Sequence, residues 1–338
     1  MQAAVDRRDH QAPPAAWSGE RVFVTGASGF LGSWLVSELR RRGAFVVGLF
    51  HDLPGEPVLR GDARSRPDFI VHGAVEDFGL LLRAVNEYEI QSVFHLAAQP
   101  LVGVALRDPR ATLETNIRGT WNLLEACRQI GTVRRIVIAS SDKAYGVADR
   151  LPYDETMPLA GRHPYDVSKA CADLIAQGYH ATYDLPVAIT RCGNFYGGGD
   201  LNFSRIVPGT IRSVLRGERP VLRSDGTLIR DYIYIRDVVD GYLRLAEAME
   251  RPDVWGRAYN FSQEQPLSVL QLTETILRVM GRQDLQPQIL NQARAEIPAQ
   301  HLSAARARQE LGWVAHYPLE ASLAETVAWY KAYLAPPG

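Results

Sequence analysis

Arg21-Val22-Phe23-Val24-Thr25-Gly26-Ala27-Ser28-Gly29-Phe30-Leu31-Gly32-Ser33-Trp34-Leu35 decides the fold. Arg21 to Thr25 is a short, largely β-branched run that reads as a buried strand. Gly26, Gly29 and Gly32 follow at spacings of three. Leu31, Leu35 and Leu39 then recur at helical spacing, with Arg40-Arg41-Arg42 in the last turn and Gly43 just past it. A strand that turns through glycines into a helix makes a phosphate site. Gly26 permits the tight turn, Gly29 lets the backbone approach a pyrophosphate, and Gly32 lets helix and strand pack closely. Free N–H groups and the dipole at the helix start attract the anion. The stretch therefore predicts dinucleotide binding.

Strand and helix alternate outward from this turn. Phe45 to Phe50 reads as the second strand, Asp68 to His72 as the third, and Phe78 to Glu87 as a helix. Ser92 to Gln99 is a fourth strand running into small residues, which leave room for a flat ring. Asp108 to Ile130 reads as one long helix with Leu113, Ile117, Trp121 and Leu124 on a shared face. Arg135 to Ser140 and Val187 to Arg191 give two more strands. This alternation predicts an α/β fold with a Rossmann-type, doubly wound parallel sheet. After Cys192 the composition shifts toward a smaller, mixed α/β C-terminal substrate lobe. The expected division is a loose, disordered tail over 1–16, a dinucleotide domain over 17–191 plus about 231–255, and a substrate lobe over 192–230 and 256–338.

With 338 residues and 46% apolar composition, the chain can build one large or two smaller cores. A net charge of −1 supplies no basic field for nucleic acid. No apolar run approaches the length that spans a bilayer. Cys127, Cys171 and Cys192 lack metal-type spacing, so no metal site is expected. Their odd number, with no signal peptide, predicts a reduced, cytoplasmic setting. Only Lys143, Lys169 and Lys331 are lysines among 37 basic residues. Surface charge in this chain is written as arginine. A lysine therefore raises the question of proton chemistry, which guanidinium does not perform in proteins.

Two of those lysines stand where chemistry would be. The fifth strand ends Ser140-Ser141-Asp142-Lys143, and ligands in open α/β sheets gather outside the carboxyl ends of strands. Tyr165-Asp166-Val167-Ser168-Lys169 opens a helix running to about Tyr183, and residues four apart share a helix face. A lysine beside a tyrosine lowers the phenol's pKa and turns it into a base. For the cofactor's ribose, Asp52 is the acid nearest the end of the second strand. No arginine follows until Arg60, so NAD is favoured over NADP. In the later lobe, Arg205, Arg223, Arg230 and Arg257 are candidates for a diphosphate, whose oxygens match a planar guanidinium.

Together these stretches resemble the extended short-chain dehydrogenases/reductases, the NAD-dependent nucleotide-sugar epimerases and dehydratases. Thr25 to Gly32, His95-Leu96-Ala97-Ala98, Asn116 to Thr120, the Tyr165/Lys169 pair and Arg230-Asp231-Tyr232 carry the resemblance. Trp17, Gly32 to Leu35, Ala97 to Val102, Ser141-Asp142-Lys143, Gly193-Asn194 and Gly197 to Asp200 look most like the CDP-glucose 4,6-dehydratases. Phe50, Ala74 and Ala144-Tyr145-Gly146 depart from that pattern.

The resemblance implies tightly bound NAD, held by Gly26, Ser28, Gly29, Phe30, Leu31 and Gly32 at the turn. Val75, Leu96, Ala97, Ala98, Gln99, Asn116, Ser140, Tyr165 and Lys169 would complete that site. It implies a nucleoside diphosphate sugar held by Gln99, Ser141, Asn194, Arg205 and Arg230. It also implies a homodimer through a four-helix bundle. The expected reaction converts an NDP-hexose to a 4-keto-6-deoxy sugar with internal hydride transfer. Tyr165 would be the base at O4, Lys169 and Ser141 its supports, Lys143 the base at C5, and Asp142 the acid at O6. The alternatives are a UDP-sugar 4-epimerase and a dinucleotide-binding scaffold or sensor without turnover.

Overall fold

The computed structural model describes residues 16–51, 56–59, 61–148, 150–292 and 297–335. Almost all of the tail expected over 1–16, together with Asp52, lies outside them. The first half of the chain runs β1 (Arg21–Thr25), α1 (Phe30–Arg41), β2 (Phe45–Phe50), β3 (Phe69–His72), α2 (Phe78–Glu87) and β4 (Ser92–His95). It continues through α3 (Val102–Arg107), α4 (Pro109–Leu113), α5 (Gly119–Ile130), β5 (Arg135–Ala139), α6 (Pro164–Tyr183) and β6 (Val187–Cys192). After these come β7 (Asn194–Tyr196), α7 (Ile206–Leu215), β8 (Val221–Leu222), β9 (Ile229–Arg230), β10 (Tyr232–Tyr234) and α8 (Ile235–Ala248). The chain closes with β11 (Ala258–Phe261), β12 (Leu267–Ser268), α9 (Val269–Val279), β13 (Gln288–Ile289), α10 (Ala305–Leu311) and α11 (Leu319–Leu334).

Seven strands form one sheet in the order β3-β2-β1-β4-β5-β6-β11, parallel throughout. Pleating sends Val22 and Val24 of β1 to one face and Phe23 to the other. On the first face α1 lays down Leu31, Leu35 and Leu39, beside Val238, Tyr242 and Leu245 of α8. On the second face α2 brings Leu81 and Val85, and α5 brings Leu123, Leu124 and Cys127. With both faces covered, the strands are apolar nearly throughout. The winding proceeds from β1 out to β3 and then crosses to β4 on the other side of β1. That reversal opens a crevice at the strands' carboxyl ends.

Two expectations are corrected. Ala258–Phe261, assigned from sequence to the substrate lobe, is the seventh strand of the main sheet. It is buried along its whole length and pairs in parallel with β6. The single helix over 108–130 is instead α4, a π-helical turn over Glu114–Arg118, and α5. The wider turn rotates the faces. Leu124 is buried, but Leu113 and Trp121 point outward at 36% and 43% exposure. The short helix α3 gave no recognisable sequence signal. Beyond the sheet, β7 pairs in parallel with β10, and β9 pairs antiparallel with β12.

Candidate active site

The glycine turn separates into two packing glycines and one open one. Gly26 has φ +70°, and a side chain there would meet Ala97 N at 2.9 Å. A Cβ on Gly32 would lie 2.1 Å from Gly26 O, so only glycine lets α1 start so close to β1. A Cβ on Gly29 would meet only Gly26 O, at 3.3 Å. That contact is tight, but a few tenths of an ångström of movement relieves it, far less than Gly32 would need. Gly29 precedes the first turn of α1, where unpaired N–H groups and the helix dipole favour an anion. A cradle open at the middle glycine fits a dinucleotide's pyrophosphate.

A buried clamp fixes the neighbouring strand ends. Thr25 Oγ1 accepts from Leu96 N and Ala97 N, each at 3.2 Å, and lies 2.8 Å from His95 Nδ1. His95 Nε2 lies 3.1 Å from Thr120 Oγ1 on α5. Burial, aided by the charge of Lys169, drives His95 down to about 3, so it serves as a neutral strut. The residues expected around the cofactor divide in the same way. Gln99 spends its amide on Leu101 N and O and on Thr112 Oγ1. Asn116, in the π-helical turn, bonds both backbone groups of Gln99 and Ser168 Oγ. These two side chains hold the loop after β4 against α6. Val75 packs beneath Gly119, and Ser140 ties β5 to Thr190 O and Lys169 O. Phe50 is fully buried, so the end of β2 itself offers no ribose ligand.

Ser141, Asp142, Lys143, Tyr165 and Lys169 come together where β5 ends and α6 begins. Ser141 Oγ accepts from Lys143 N at 3.2 Å and donates to Asp142 Oδ1 at 3.0 Å. Asp142 is 4% exposed, and burial raises its carboxyl, with Lys143, Ser141 and Arg230 pulling the other way. Tyr165 is 9% exposed. Burial pushes its phenol up to about 12, against its hydrogen-bond contact with Ser141 and the charge of Arg205. Lys169 Nζ donates to Ala139 O at 2.8 Å, and burial brings its amine down to about 8, opposed by Asp173. Desolvation thus outweighs the lowering that the Tyr165/Lys169 spacing led us to expect.

Residues 22–261 match the sequence model described as the NAD dependent epimerase/dehydratase family. The chain belongs to that family. It is 31% identical to the CDP-glucose 4,6-dehydratase of Salmonella typhimurium, over 94% of this chain and 92% of that one. It is 30% identical to UDP-glucuronate 4-epimerase 1 of Arabidopsis thaliana, over 93% of this chain and 77% of that one. Among solved structures, a dTDP-glucose 4,6-dehydratase from Streptomyces venezuelae with NAD bound superposes with a TM-score of 0.81. Its identity is 29%, covering 92% of this chain and 97% of that one.

Of the residues expected to hold substrate, Ser141 lies in the cluster where β5 ends, and Arg205 and Arg230 reach it by their charge on Tyr165 and Asp142. Arg205, just before α7, pairs with Asp200 at 3.1 Å and keeps its side chain 37% exposed. Arg230 is buried, and its Nη1 donates to Ile229 O and Ile297 O, both at 2.8 Å. One of its nitrogens thus serves the backbone, while its charge reaches Asp142. Asn194 is exposed at the start of β7, where its amide reaches Asp231 O at 3.4 Å. Several buried polar residues beside the cluster were not read as site residues from the sequence. Asp173 lies one turn beyond Lys169 on α6, and its 165/169/173 spacing is the signal that could have found it. Asp231, fully buried, is pushed up to about 7 by desolvation, with Ser262 Oγ and Leu302 N on its Oδ2. Gln300 arrives from a distant segment with no sequence signal at all.

Proposed function

We propose that this protein is an NAD-dependent nucleoside-diphosphate-hexose 4,6-dehydratase of the CDP-glucose type. The observation that carries the reading is the pairing of a buried carboxyl, Asp142, with Lys143 beside Tyr165 and Ser141. Burial favours the protonated form of the Asp142 carboxyl, as an acid requires, and Lys143 is the amine next to it. The open cradle at Gly29, the family and the similarity to dehydratases support the rest.

NAD, held at the Gly26–Gly32 turn, would supply a hydride acceptor for C4 and a hydride donor for C6. Tyr165 takes the O4 proton, and its phenol, near 12, must be drawn down for that role. Ser141 and Lys169 are the residues at hand to do so. Once C4 is a ketone, the C5 proton is acidic, and Lys143 removes it. The C6–O bond breaks, Asp142 gives its proton to the departing oxygen, and water leaves. A hydride delivered to C6 and a proton returned from Lys143 to C5 then give the 4-keto-6-deoxy sugar. Asn194, Arg205 and Arg230 would hold the nucleoside diphosphate in the lobe formed by 192–230 and the residues after β11. Residues 17–191, with about 231–261, would hold the cofactor.

The working unit we infer is a homodimer built through α4, α5 and α6. Large apolar side chains exposed on α3 to α6, among them Leu106, Leu174 and Tyr183, support it. We assign the protein to the cytoplasm. Three free cysteines, and the lack of any helix among the described residues long and apolar enough to cross a membrane, support that assignment.

The test is incubation with CDP-glucose, dTDP-glucose, GDP-mannose and UDP-glucose in heavy water, with products read by mass and NMR. Dehydration puts deuterium at C5 and removes the C6 hydroxyl. Retention of the C6 hydroxyl with an inverted C4 would make it an epimerase, the reading favoured by its similarity to UDP-glucuronate 4-epimerases. No turnover of any sugar nucleotide would leave a binding scaffold. In Lys143→Ala, oxidation at C4 persists and water loss stops.

A further inference from the structure

We propose that Gln300 is a positioning residue for Lys143, fixing where its amine points. The inference rests on the dehydratase reading, which gives Lys143 a proton to take. Gln300 is fully buried, and its Oε1 accepts from Lys143 Nζ at 3.1 Å across 157 residues of sequence. Its backbone is pinned from two sides. Gln300 N donates to Ile229 O at 3.1 Å, and Ala299 bridges Ile229. Tyr153 N donates to His301 O and Ser303 N to Tyr153 O, each at 2.9 Å, while Leu302 N reaches Asp231 Oδ2 at 3.0 Å. The amide therefore arrives on a segment braced immediately before and after it.

Packing alone does not account for this amide. Gln300 Nε2 makes no well-formed hydrogen bond, although the amide interacts with the Tyr153 phenol, and an under-satisfied buried amide costs stability that an apolar side chain would not. What the amide does secure is the amine. Lys143 is already surrounded by charge: Asp142 on its own turn, and Asp166 with His163 at the start of α6. Arg230 and Asp231 act on Asp142 from the β9–β10 junction. A third carboxylate would hold the amine charged. A neutral oxygen fixes its position and leaves it able to give up its proton.

The test uses the full-length protein and the fact that it has three lysines. With 13C-labelled lysine, the Lys143 resonance is assigned by its loss in Lys143→Arg and titrated without turnover. Gln300→Met keeps the volume and removes the acceptor. Its kcat falls about 10- to 100-fold with KM within about twofold, and the Lys143 midpoint moves down. Gln300→Glu moves that midpoint up by about one pH unit. The kcat profile moves with it, so activity recovers at alkaline pH. Unchanged kcat in Gln300→Met, or an unmoved Lys143 midpoint in a folded variant, overturns the proposal. If Gln300→Met does not fold, a Lys143 midpoint that fails to rise in Gln300→Glu overturns it alone. A wild-type protein that dehydrates no sugar nucleotide defeats the dehydratase reading separately, because the NMR titration reports the contact itself.

Discussion

Asp173 and Arg191 close a buried bidentate pair, Nε to Oδ2 at 2.8 Å and Nη2 to Oδ1 at 3.0 Å, one helical turn beyond Lys169. Arg191 Nη1 also donates to Tyr145 OH, which in turn donates to Asn260 Oδ1 on β11. The pair thus locks α6 to β6 and to the last strand of the sheet. Arg191→Met takes from the buried Asp173 carboxylate its bidentate partner, leaving it Gln177 and the charge of Lys169, and we expect a loss of about 3–5 kcal/mol in denaturant unfolding. Asp173→Leu combined with Arg191→Met should recover most of it. A double variant as unstable as the single one would mean that packing, not charge, sets the cost.

Lys169 is held against its own solvation. Its folded pKa of about 8 lies below the ordinary 10.5, so the charged form is the penalised one. The cost is therefore complete below about pH 8 and is relieved as pH climbs toward 10.5. Lys169→Met should raise stability by about 1–2 kcal/mol near neutral pH, after the lost bond to Ala139 O is counted. The gain should shrink by about pH 10, while turnover is lost at every pH. Urea midpoints at the two pH values test this, and a variant less stable than wild type near neutrality refutes it.

The sheet was legible because each strand is a short apolar run bounded by turn residues and the helices between them keep their period. β11 escaped notice because Ala258–Phe261 mixes one asparagine into four residues and gains strand character only by pairing with β6. The break in the helix after Asp108 was hidden because a π-helical turn changes the period without changing the composition. In the candidate site, Tyr165, Lys169, Ser141, Asp142 and Lys143 could be read because all lie within a few residues of a strand end or a helix start. Gln300 could not, since a contact across 157 residues has no local signature. The direction of the Tyr165 shift was also beyond spacing alone, because it depends on how thoroughly the fold dries the phenol.

The glycine turn supports a differential test. Gly32→Ala forces a methyl to within 2.1 Å of Gly26 O, so β1 and α1 must separate and the protein should be strongly destabilised. Gly29→Ala meets only one atom, at 3.3 Å, and its backbone is extended, so its melting temperature should stay within about 2 °C. Its new methyl nevertheless faces the helix start. NAD affinity, measured by calorimetry, should fall at least about tenfold. Normal NAD binding by Gly29→Ala would remove the pyrophosphate from this cradle.

The outward turn of Trp121 and Leu113 has a further consequence. With Leu106, Leu174 and Tyr183 they leave five large apolar side chains between 36% and 57% exposed on α3 to α6. Single exposed apolar residues are ordinary, but this many on adjoining helices make a surface that water penalises. Covering each by a second copy is worth about 1–2 kcal/mol, enough together to hold a dimer at micromolar concentration. Trp121→Glu with Leu174→Arg should therefore sediment as a monomer. Far-UV circular dichroism should stay unchanged, because neither side chain is needed inside the protomer. A wild-type chain that sediments as a monomer, or a double variant that remains dimeric, would place the contact elsewhere or abolish it.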